Sequence, residues 1–150
     1  MLLVFNCIYL YFMSRILALD FGLKRTGIAI TDELNIIATG LTTVDSRDLM
    51  AFLIQTVEQK DVQTIVLGEP KRLNTEDTHI SENVRMLKKA LEEQFVTLKI
   101  DMVDERFTSK MAAQSLIDGG VSKKKRKEKG LVDEVSATLI LQSYMSQLNR

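Results

Sequence analysis

An aspartate at the end of an apolar run is the feature that most constrains this chain. The stretch ILALDFGLKRTGIAI, residues 16–30, places Asp20 after a run of apolar residues and before a turn containing glycine, and a second apolar run follows. The pattern predicts a buried strand over 15–21 and a second strand over Thr26–Thr31, joined by a tight turn. A carboxylate beside such a core is costly unless it is paired, hydrogen-bonded or bound to a metal. The partner of Asp20 is therefore the first question about function.

The rest of the chain predicts alternating strands and helices. A third strand over Ile36–Val44 completes an antiparallel meander, and Asp45-Ser46 is a candidate N-cap for the helix that follows. The later segments are a helix around Leu49–Val57, a strand over Val62–Leu67, a helix around Ile80–Leu91, a strand over Phe95–Val103, a helix from Thr108 to Gly119-Gly120, a basic loop and a helix over Leu131–Leu148. This order predicts the α/β class, with a mixed sheet (a three-strand meander, then alternating helix and strand) flanked by helices.

Length and composition favour a single globular domain without a built-in electrostatic attraction for nucleic acid. The chain has 150 residues and a formal net charge of zero, so any such attraction must come from a local patch. Its one cysteine, Cys7, cannot form an intramolecular disulfide, which favours the reducing cytoplasm. With His79 as the single histidine, zinc sites built from cysteine and histidine are excluded. Carboxylates are the plentiful ligands, and they favour Mg²⁺ or Mn²⁺.

The first twelve residues, MLLVFNCIYLYF, are apolar but too short to span a bilayer. They lack the basic region and the cleavage site of a signal peptide. Three interpretations are an extra edge strand, a tail that touches a membrane, and a mis-assigned start with translation beginning at Met13. We favour the last, so we expect residues 1–12 to be an extra tail, residues 13–150 to form one domain, and no membrane to be involved.

Three carboxylates follow the ends of predicted elements: Asp20 closes the first strand, Glu105 closes the last strand, and Asp133 lies in the first turn of the last helix. Ligands of α/β sheets gather where strands end, and a divalent cation relieves the repulsion between carboxylates placed there. Such ions can activate water and stabilise the leaving oxygen in phosphodiester hydrolysis. Alternatively, Asp20 caps the turn, Glu105 pairs with Arg106 and Asp133 favours its helix N-terminus. Taken jointly, the three positions favour metal.

The turn after Asp20 has residues suited to phosphate. Gly22 and Gly27 permit tight turns and close approach of a phosphate, and Lys24 and Arg25 can neutralise one. The spacing G-x-x-x-x-G is that of a P-loop, but Ile28-Ala29 stands where Lys-Ser/Thr is required, so that route to nucleotide binding is excluded. A solvated hairpin tip is the alternative interpretation.

The clearest nucleic-acid feature is a run of cations shortly before Asp133. The run consists of Lys123, Lys124, Lys125, Arg126, Lys127 and Lys129. Arg106, next to Glu105, is a further candidate for contact with phosphate. Clustered cations gain affinity by releasing counterions from a phosphate backbone, although many such runs are merely solvated loops. The run would supply affinity rather than sequence choice.

Four motifs in this order, DFGLKRTGIA, IVLGEP, VDERFTS and KEKGLVDEVSATLILQSYM, resemble the YqgF/RuvX family over about residues 14–148. The resemblance implies a ribonuclease H-like fold, similar to resolvases of the RuvC type, and a nuclease acting on the 5′ end of precursor 16S rRNA. It places the family's acidic residues on Asp20, Glu105 and Asp133. It also implies that the first loop is shaped by Gly22, Arg25 and Gly27, and the second motif matches at Gly68 and Pro70. Two departures are the loop KRLNTEDT, which lacks a glycine common in the family, and VSATL in place of paired alanines.

Other functions stay open on the sequence. A Holliday junction resolvase would use the same site on branched DNA, and its two-fold substrate favours a symmetric dimer. Either a monomer or a homodimer fits an RNA nuclease. An actin-like kinase or ATPase also opens with Asp-x-Gly, but this chain lacks a second copy of the motif. A nucleic-acid-binding protein without catalysis is the remaining alternative.

Overall fold

The sheet has five strands in the order β3-β2-β1-β4-β5. The computed structural model describes residues 14–69, 79–104 and 108–149. The central strand β1 pairs antiparallel with β2 and parallel with β4, and β4 pairs parallel with β5. The strands are β1 Arg15–Phe21, β2 Arg25–Thr31, β3 Ala38–Asp45, β4 Val62–Glu69 and β5 Lys99–Asp104. The predicted mixed sheet, with its meander, is therefore confirmed.

Helices cover both faces of the sheet. The helices are α1 Leu49–Lys60, α2 His79–Gln94, α3 Thr108–Asp118, α4 Lys123–Arg126 and α5 Lys129–Leu148. On one face α1 and α2 pack on Leu17 and Leu19 of β1. On the other face α5 packs on Ile16 and Ala18, and α3 lies against α5. Alternate residues of β1 thus serve different cores, as the period of a strand requires.

The two cores differ in residue size, and this difference places α5. The core under α1 and α2 is rich in fully buried leucine and isoleucine, each contributing roughly 1.5–3 kcal/mol when removed from water. The core under α5 uses Ala18, Ala29 and Ala137, all with no exposed surface. Small side chains let the helix lie close to the sheet, and this close approach carries a helix residue into the candidate site described below.

Several predicted elements differ from the structure in their boundaries, and the third strand begins at Ala38 rather than Ile36. The proposed N-cap at Asp45-Ser46 is not one, because α1 begins at Leu49 with Asp48 at its N-cap position. The last strand begins at Lys99 rather than Phe95, which instead follows α2 and donates its N–H to Leu91 O at 2.8 Å. Phe95 is only 9% exposed. Its apolar character therefore reflects core packing from a turn rather than a strand.

The last helix also begins earlier than predicted. It starts at Lys129, which places Asp133 in its second turn and leaves the first turn without an acidic residue. The interpretation of Asp133 as a helix N-terminal charge is therefore wrong, since that effect is confined to the first turn. Part of the basic loop is also helical, because Ser122 caps the single turn Lys123–Arg126.

Several predictions lie outside the described residues. They concern the N-terminal tail, the loop KRLNTEDT, Pro70, Glu105 and Arg106. Among the helices that the structure describes, none is both long enough and apolar enough to span a bilayer.

Candidate active site

One edge of the sheet collects the functional residues. The parallel strands β1, β4 and β5 all end there, at Phe21, Glu69 and Asp104. The turn between β1 and β2 and the end of β3 lie at the same edge, because Arg25 pairs with Asp45. In α/β sheets this carboxyl edge is where ligands gather.

Asp20 lies on the α5 face of this edge. The alternation along β1 puts Asp20 on the side of Ile16 and Ala18, which pack under α5. Its Cα partner across the antiparallel pair with β2 is Gly27, and directly opposed Cα atoms lie about 4.5–5.5 Å apart. The side chain of Asp20 is half-buried.

Gly27 brings α5 to Asp20. A Cβ atom at Gly27 would lie 2.0 Å from Asp133 O and 2.9 Å from Glu134 N, both backbone atoms of α5. The helix therefore contacts the β2 backbone where any side chain would separate them. Because Gly27 is opposite Asp20, this contact puts Asp133 beside Asp20 on the same face of the sheet.

A second contact fixes the start of α5. The Thr43 hydroxyl on β3 donates to Gly130 O at 2.6 Å, and the two residues also pack against each other. Gly130 lies in the first turn of the helix, three residues before Asp133. The register of α5 along the sheet is thus set by a hydrogen bond as well as by packing.

Arg25 links the β1–β2 turn to α5. Its Nε donates to Asp133 Oδ2 at 3.0 Å across 108 residues of sequence, with side chains 40% and 25% exposed. The alternation along β2 puts Arg25 on the face of Gly27, which explains how it reaches α5. The sequence predicted Arg25 as a phosphate contact, and the structure adds a carboxylate partner. Because the bond uses Nε, the terminal nitrogens of the guanidinium can still donate to a phosphate.

The turn that carries Lys24 and Arg25 is tightly built. Gly22 donates its N–H to Arg25 O at 3.0 Å, and a Cβ atom at Gly22 would lie 2.7 Å from that oxygen. A side chain at this position would meet the backbone of Arg25, so the turn favours a glycine here. Lys24 and its neighbour Leu23 are exposed at the tip.

Two residues that sequence reasoning missed lie beside this turn. Ser46 hydrogen-bonds to the turn, and Arg47 forms a bidentate ion pair with Asp45, from Nε and Nη2, each at 3.0 Å. The hydrogen bonds from Arg47 lower the pKa of Asp45 to about 2. Asp45 is opposite Arg25 but is held by Arg47, which leaves Arg25 to Asp133. In the sequence, the polar cluster DSRD at the end of β3 was the feature that could have indicated these contacts, but it was interpreted as a helix cap.

The basic segment leads into the site from α4. Lys123, Lys124, Lys125 and Lys127 are exposed, Arg126 is half-buried, and the segment continues into α5, which carries Asp133. Five successive cations thus stand directly before the helix that supplies a carboxylate to the site.

The structure brings together Asp20, Asp133, Arg25, Gly22 and Gly27, with Lys24 at the adjoining tip. Gly68 lies in β4 opposite Val103 of β5, close to the same edge. Glu69 and Asp104 are direct partners at the strand ends, a neighbouring acidic pair that sequence reasoning did not single out.

Within the described ranges, no group of three or more His, Cys, Asp or Glu side chains is arranged to hold a metal ion. The two carboxylates on the α5 face are hard oxygen donors of the kind that suits Mg²⁺ or Mn²⁺.

Two solved structures of resolvases share this fold. Thermus thermophilus RuvC in complex with Holliday junction substrate matches with a TM-score of 0.57 and 10% identity, over 91% of this chain and 96% of that chain. The yeast mitochondrial Holliday junction resolvase Ydc2 matches with a TM-score of 0.55 and 16% identity, over 91% of this chain and 81% of that chain. At these identities the likeness shows the fold, which confirms the ribonuclease H-like class.

The family follows from the sequence. Residues 14–147 match the model of the RuvX family, described as Holliday junction resolvase, and the chain belongs to that family. A protein of Christiangramia forsetii is 50% identical over 133 residues, covering 89% of this chain and 98% of its own length. A protein of Porphyromonas gingivalis is 47% identical over 138 residues, covering 92% of this chain and 100% of its own length. Both carry the name "Putative pre-16S rRNA nuclease".

Proposed function

We propose that this protein is a metal-dependent nuclease that processes the 5′ end of precursor 16S rRNA. The observation that carries the proposal is the close contact of the Asp133 backbone with Gly27, the residue paired with Asp20, at the carboxyl edge of the sheet. The names of relatives at 47–50% identity supply the substrate. Together they favour phosphodiester hydrolysis of RNA.

Asp20 and Asp133 would hold Mg²⁺ or Mn²⁺, with Glu105 as the third ligand that the family resemblance implies. Carboxylate oxygens suit such an ion, and Asp20 lies on the face of the sheet that is covered by α5, the helix of Asp133. When bound, a divalent ion lowers the pKa of water and stabilises the charge that develops on the leaving oxygen.

The remaining residues would position the nucleic acid. Arg25 holds Asp133 through Nε and would offer its terminal nitrogens to a phosphate beside the carboxylates. The flanking phosphates of the RNA backbone would be bound by Lys24 at the turn, by Arg106 and by the cations of 123–127. Because such contacts recognise phosphate, they would set affinity and register rather than base choice.

The chain has one cysteine and so cannot form an intramolecular disulfide. This favours a reducing compartment, and we therefore place the activity in the cytoplasm.

The test is cleavage by the purified protein of a 5′-extended 16S precursor and of a four-way DNA junction. Reactions with Mg²⁺, Mn²⁺ and EDTA are run beside Asp20→Asn. The matched control is Asp61→Asn, at an exposed aspartate just before β4 whose φ of 52° asparagine also adopts. We expect cleavage of the RNA that EDTA and Asp20→Asn abolish and that Asp61→Asn preserves.

The second candidate, a Holliday junction resolvase, is favoured by the description of the family. Preferential cutting of the junction, with a dimer in solution, would establish it in place of the RNA nuclease. Binding of both substrates without cleavage of either would establish a nucleic-acid-binding protein instead.

A further inference from the structure

Ser46, the first residue after β3, bonds to the turn between β1 and β2 at two carbonyls. Its N–H donates to Lys24 O at 3.0 Å, and its hydroxyl donates to Gly22 O at 2.6 Å. These carbonyls lie on either side of the tip residues Leu23 and Lys24. Ser46 therefore fixes the backbone on both sides of the tip of the turn.

The hydroxyl protons can be assigned from the contacts. Ser46 Oγ also lies 2.9 Å from Thr26 Oγ1. A serine hydroxyl has one proton, and that of Ser46 goes to Gly22 O, so Thr26 donates to Ser46 Oγ. Thr26 has no exposed surface. The chain of bonds from Thr26 through Ser46 to Gly22 thus links the buried sheet to the exposed turn.

The same turn presents the functional side chains in two directions. Leu23, 64% exposed, and Lys24 lie at the tip, whereas Arg25 turns back to Asp133. Since Gly22 also donates its N–H to Arg25 O, the backbone of Arg25 is connected to Ser46 through one residue. A shift of the turn would move the Arg25 guanidinium relative to the Asp133 carboxylate.

We propose that Ser46 is a positioning residue of the active site, whose hydroxyl sets the turn so that Arg25 meets Asp133. Its catalytic consequence rests on the proposed nuclease function. The hydrogen bonds of Ser46 go to the turn and to Thr26, so it would act on the site through the turn.

The direct test observes the Arg25 Nε–H group by NMR, with no need for substrate. In the wild type, its hydrogen bond to Asp133 should slow exchange of that proton with water, and Asp133→Ala, which removes the acceptor, should identify the signal by abolishing its protection. Ser46→Ala should accelerate the exchange at least about tenfold, whereas Ser46→Thr, which keeps the hydroxyl, should preserve the protection. Unchanged protection in Ser46→Ala would overturn the proposal.

The matched control is Thr31→Val. Thr31 is 2% exposed at the other end of the sheet, and its hydroxyl accepts the Ile16 N–H at 2.9 Å. The same hydroxyl donates to Asn35 Oδ1 at 2.5 Å, so Thr31 supports the β2–β3 turn much as Ser46 supports the β1–β2 turn. Loss of the Arg25 signal in Thr31→Val as well would show a general loosening of the sheet and would overturn the specific role of Ser46. Should Ser46→Ala fail to fold, Ser46→Cys, with only a weak S–H donor, is judged by the same criterion.

A kinetic arm separates this inference from the nuclease proposal. With the RNA precursor, Ser46→Ala should lower kcat about tenfold and change KM by less than about twofold, because misplacement of a positioning group acts on the bound complex. An unchanged kcat would overturn the catalytic role even if the NMR signal is lost. If the wild type cleaves no substrate, the nuclease proposal fails, while the NMR comparison still decides whether Ser46 positions Arg25.

Discussion

Gly27→Ala tests the close contact on which the site depends. The added Cβ would lie 2.0 Å from Asp133 O, 2.3 Å from Asp133 C and 2.9 Å from Glu134 N. An ordinary contact needs about 3.4 Å, so β2 and α5 would have to separate by roughly 1.4 Å at this point. Both partners are backbone atoms of regular elements, and neither can rotate away.

The cost of that separation should be high. Overpacking in a well-packed core lowers the free energy of unfolding by about 1–3 kcal/mol. Because the clash here is with backbone atoms, we expect a loss of about 3 kcal/mol or more. With a urea m value of about 2 kcal/mol/M, a loss of about 3 kcal/mol lowers the urea midpoint by roughly 1.5 M. The assay is urea unfolding followed by circular dichroism, with RNA cleavage measured on the folded fraction.

Two further glycines give matched controls. At Gly40 the added Cβ meets Glu134 Oε1 at 2.6 Å and Cγ at 2.7 Å. Both are side-chain atoms that a change of rotamer moves away, so Gly40→Ala should cost less than Gly27→Ala, about 1 kcal/mol. At Gly130 the nearest contact is an ordinary 3.5 Å, so Gly130→Ala should be neutral or stabilise α5 by up to about 1 kcal/mol. A Gly27→Ala protein as stable and active as the wild type would refute the contact between α5 and β2.

Three more predictions concern α5 and the basic segment. Tyr144→Phe removes a hydrogen bond of 2.9 Å to Asp101 Oδ2, and urea titration should show a loss of about 1 kcal/mol at pH 7. Burial raises the pKa of Asp101, but the hydrogen bonds from Tyr144 and Lys99 outweigh it and lower that pKa from 3.8. The stabilisation by the hydrogen bond should therefore fade as the pH falls below about 4. A loss of stability in Tyr144→Phe that does not depend on pH would contradict this. Ser136 Oγ is buried without a hydrogen-bond partner in the part of the chain that the structure describes, so Ser136→Ala should raise the free energy of unfolding by about 1 kcal/mol, and a loss would refute this. Replacing Lys123, Lys124 and Lys125 by Gln should reduce the slope of log K against log salt concentration, measured for binding of single-stranded RNA, by about 2. The same change at Lys60, Lys88 and Lys89 should leave this slope unchanged. Equal slopes for the two triple variants would contradict the role of the basic segment.

The sheet could be predicted because its signals are local. The apolar runs around Asp20, the tight turn at Gly22 and the alternation along β1 each depend on neighbouring residues, and the meander was confirmed. Phe95 was assigned to the wrong element because its burial depends on packing after α2. A short apolar segment has the same composition in a strand and in a buried turn.

The sequence predicted a shared site for Asp20 and Asp133, but it did not indicate the contact that brings α5 to β2. The sequence indicated Gly27 for turn geometry or phosphate approach, whereas the structure shows a contact with α5. The pairing of Arg25 with Asp133 spans 108 residues, and no local pattern specifies it. Ser46 was assigned to a helix cap because serine before an apolar run favours both structures.

Single-turnover cleavage of a 5′-extended 16S precursor by Asp133→Asn tests the central claim most directly. Asparagine preserves the size of the side chain but removes the charge beside Asp20, so cleavage with Mg²⁺ or Mn²⁺ should fall by about a hundredfold or more while Asp61→Asn cleaves like the wild type. Cleavage by Asp133→Asn within about threefold of the wild-type rate would contradict the assignment of this edge of the sheet as the active site.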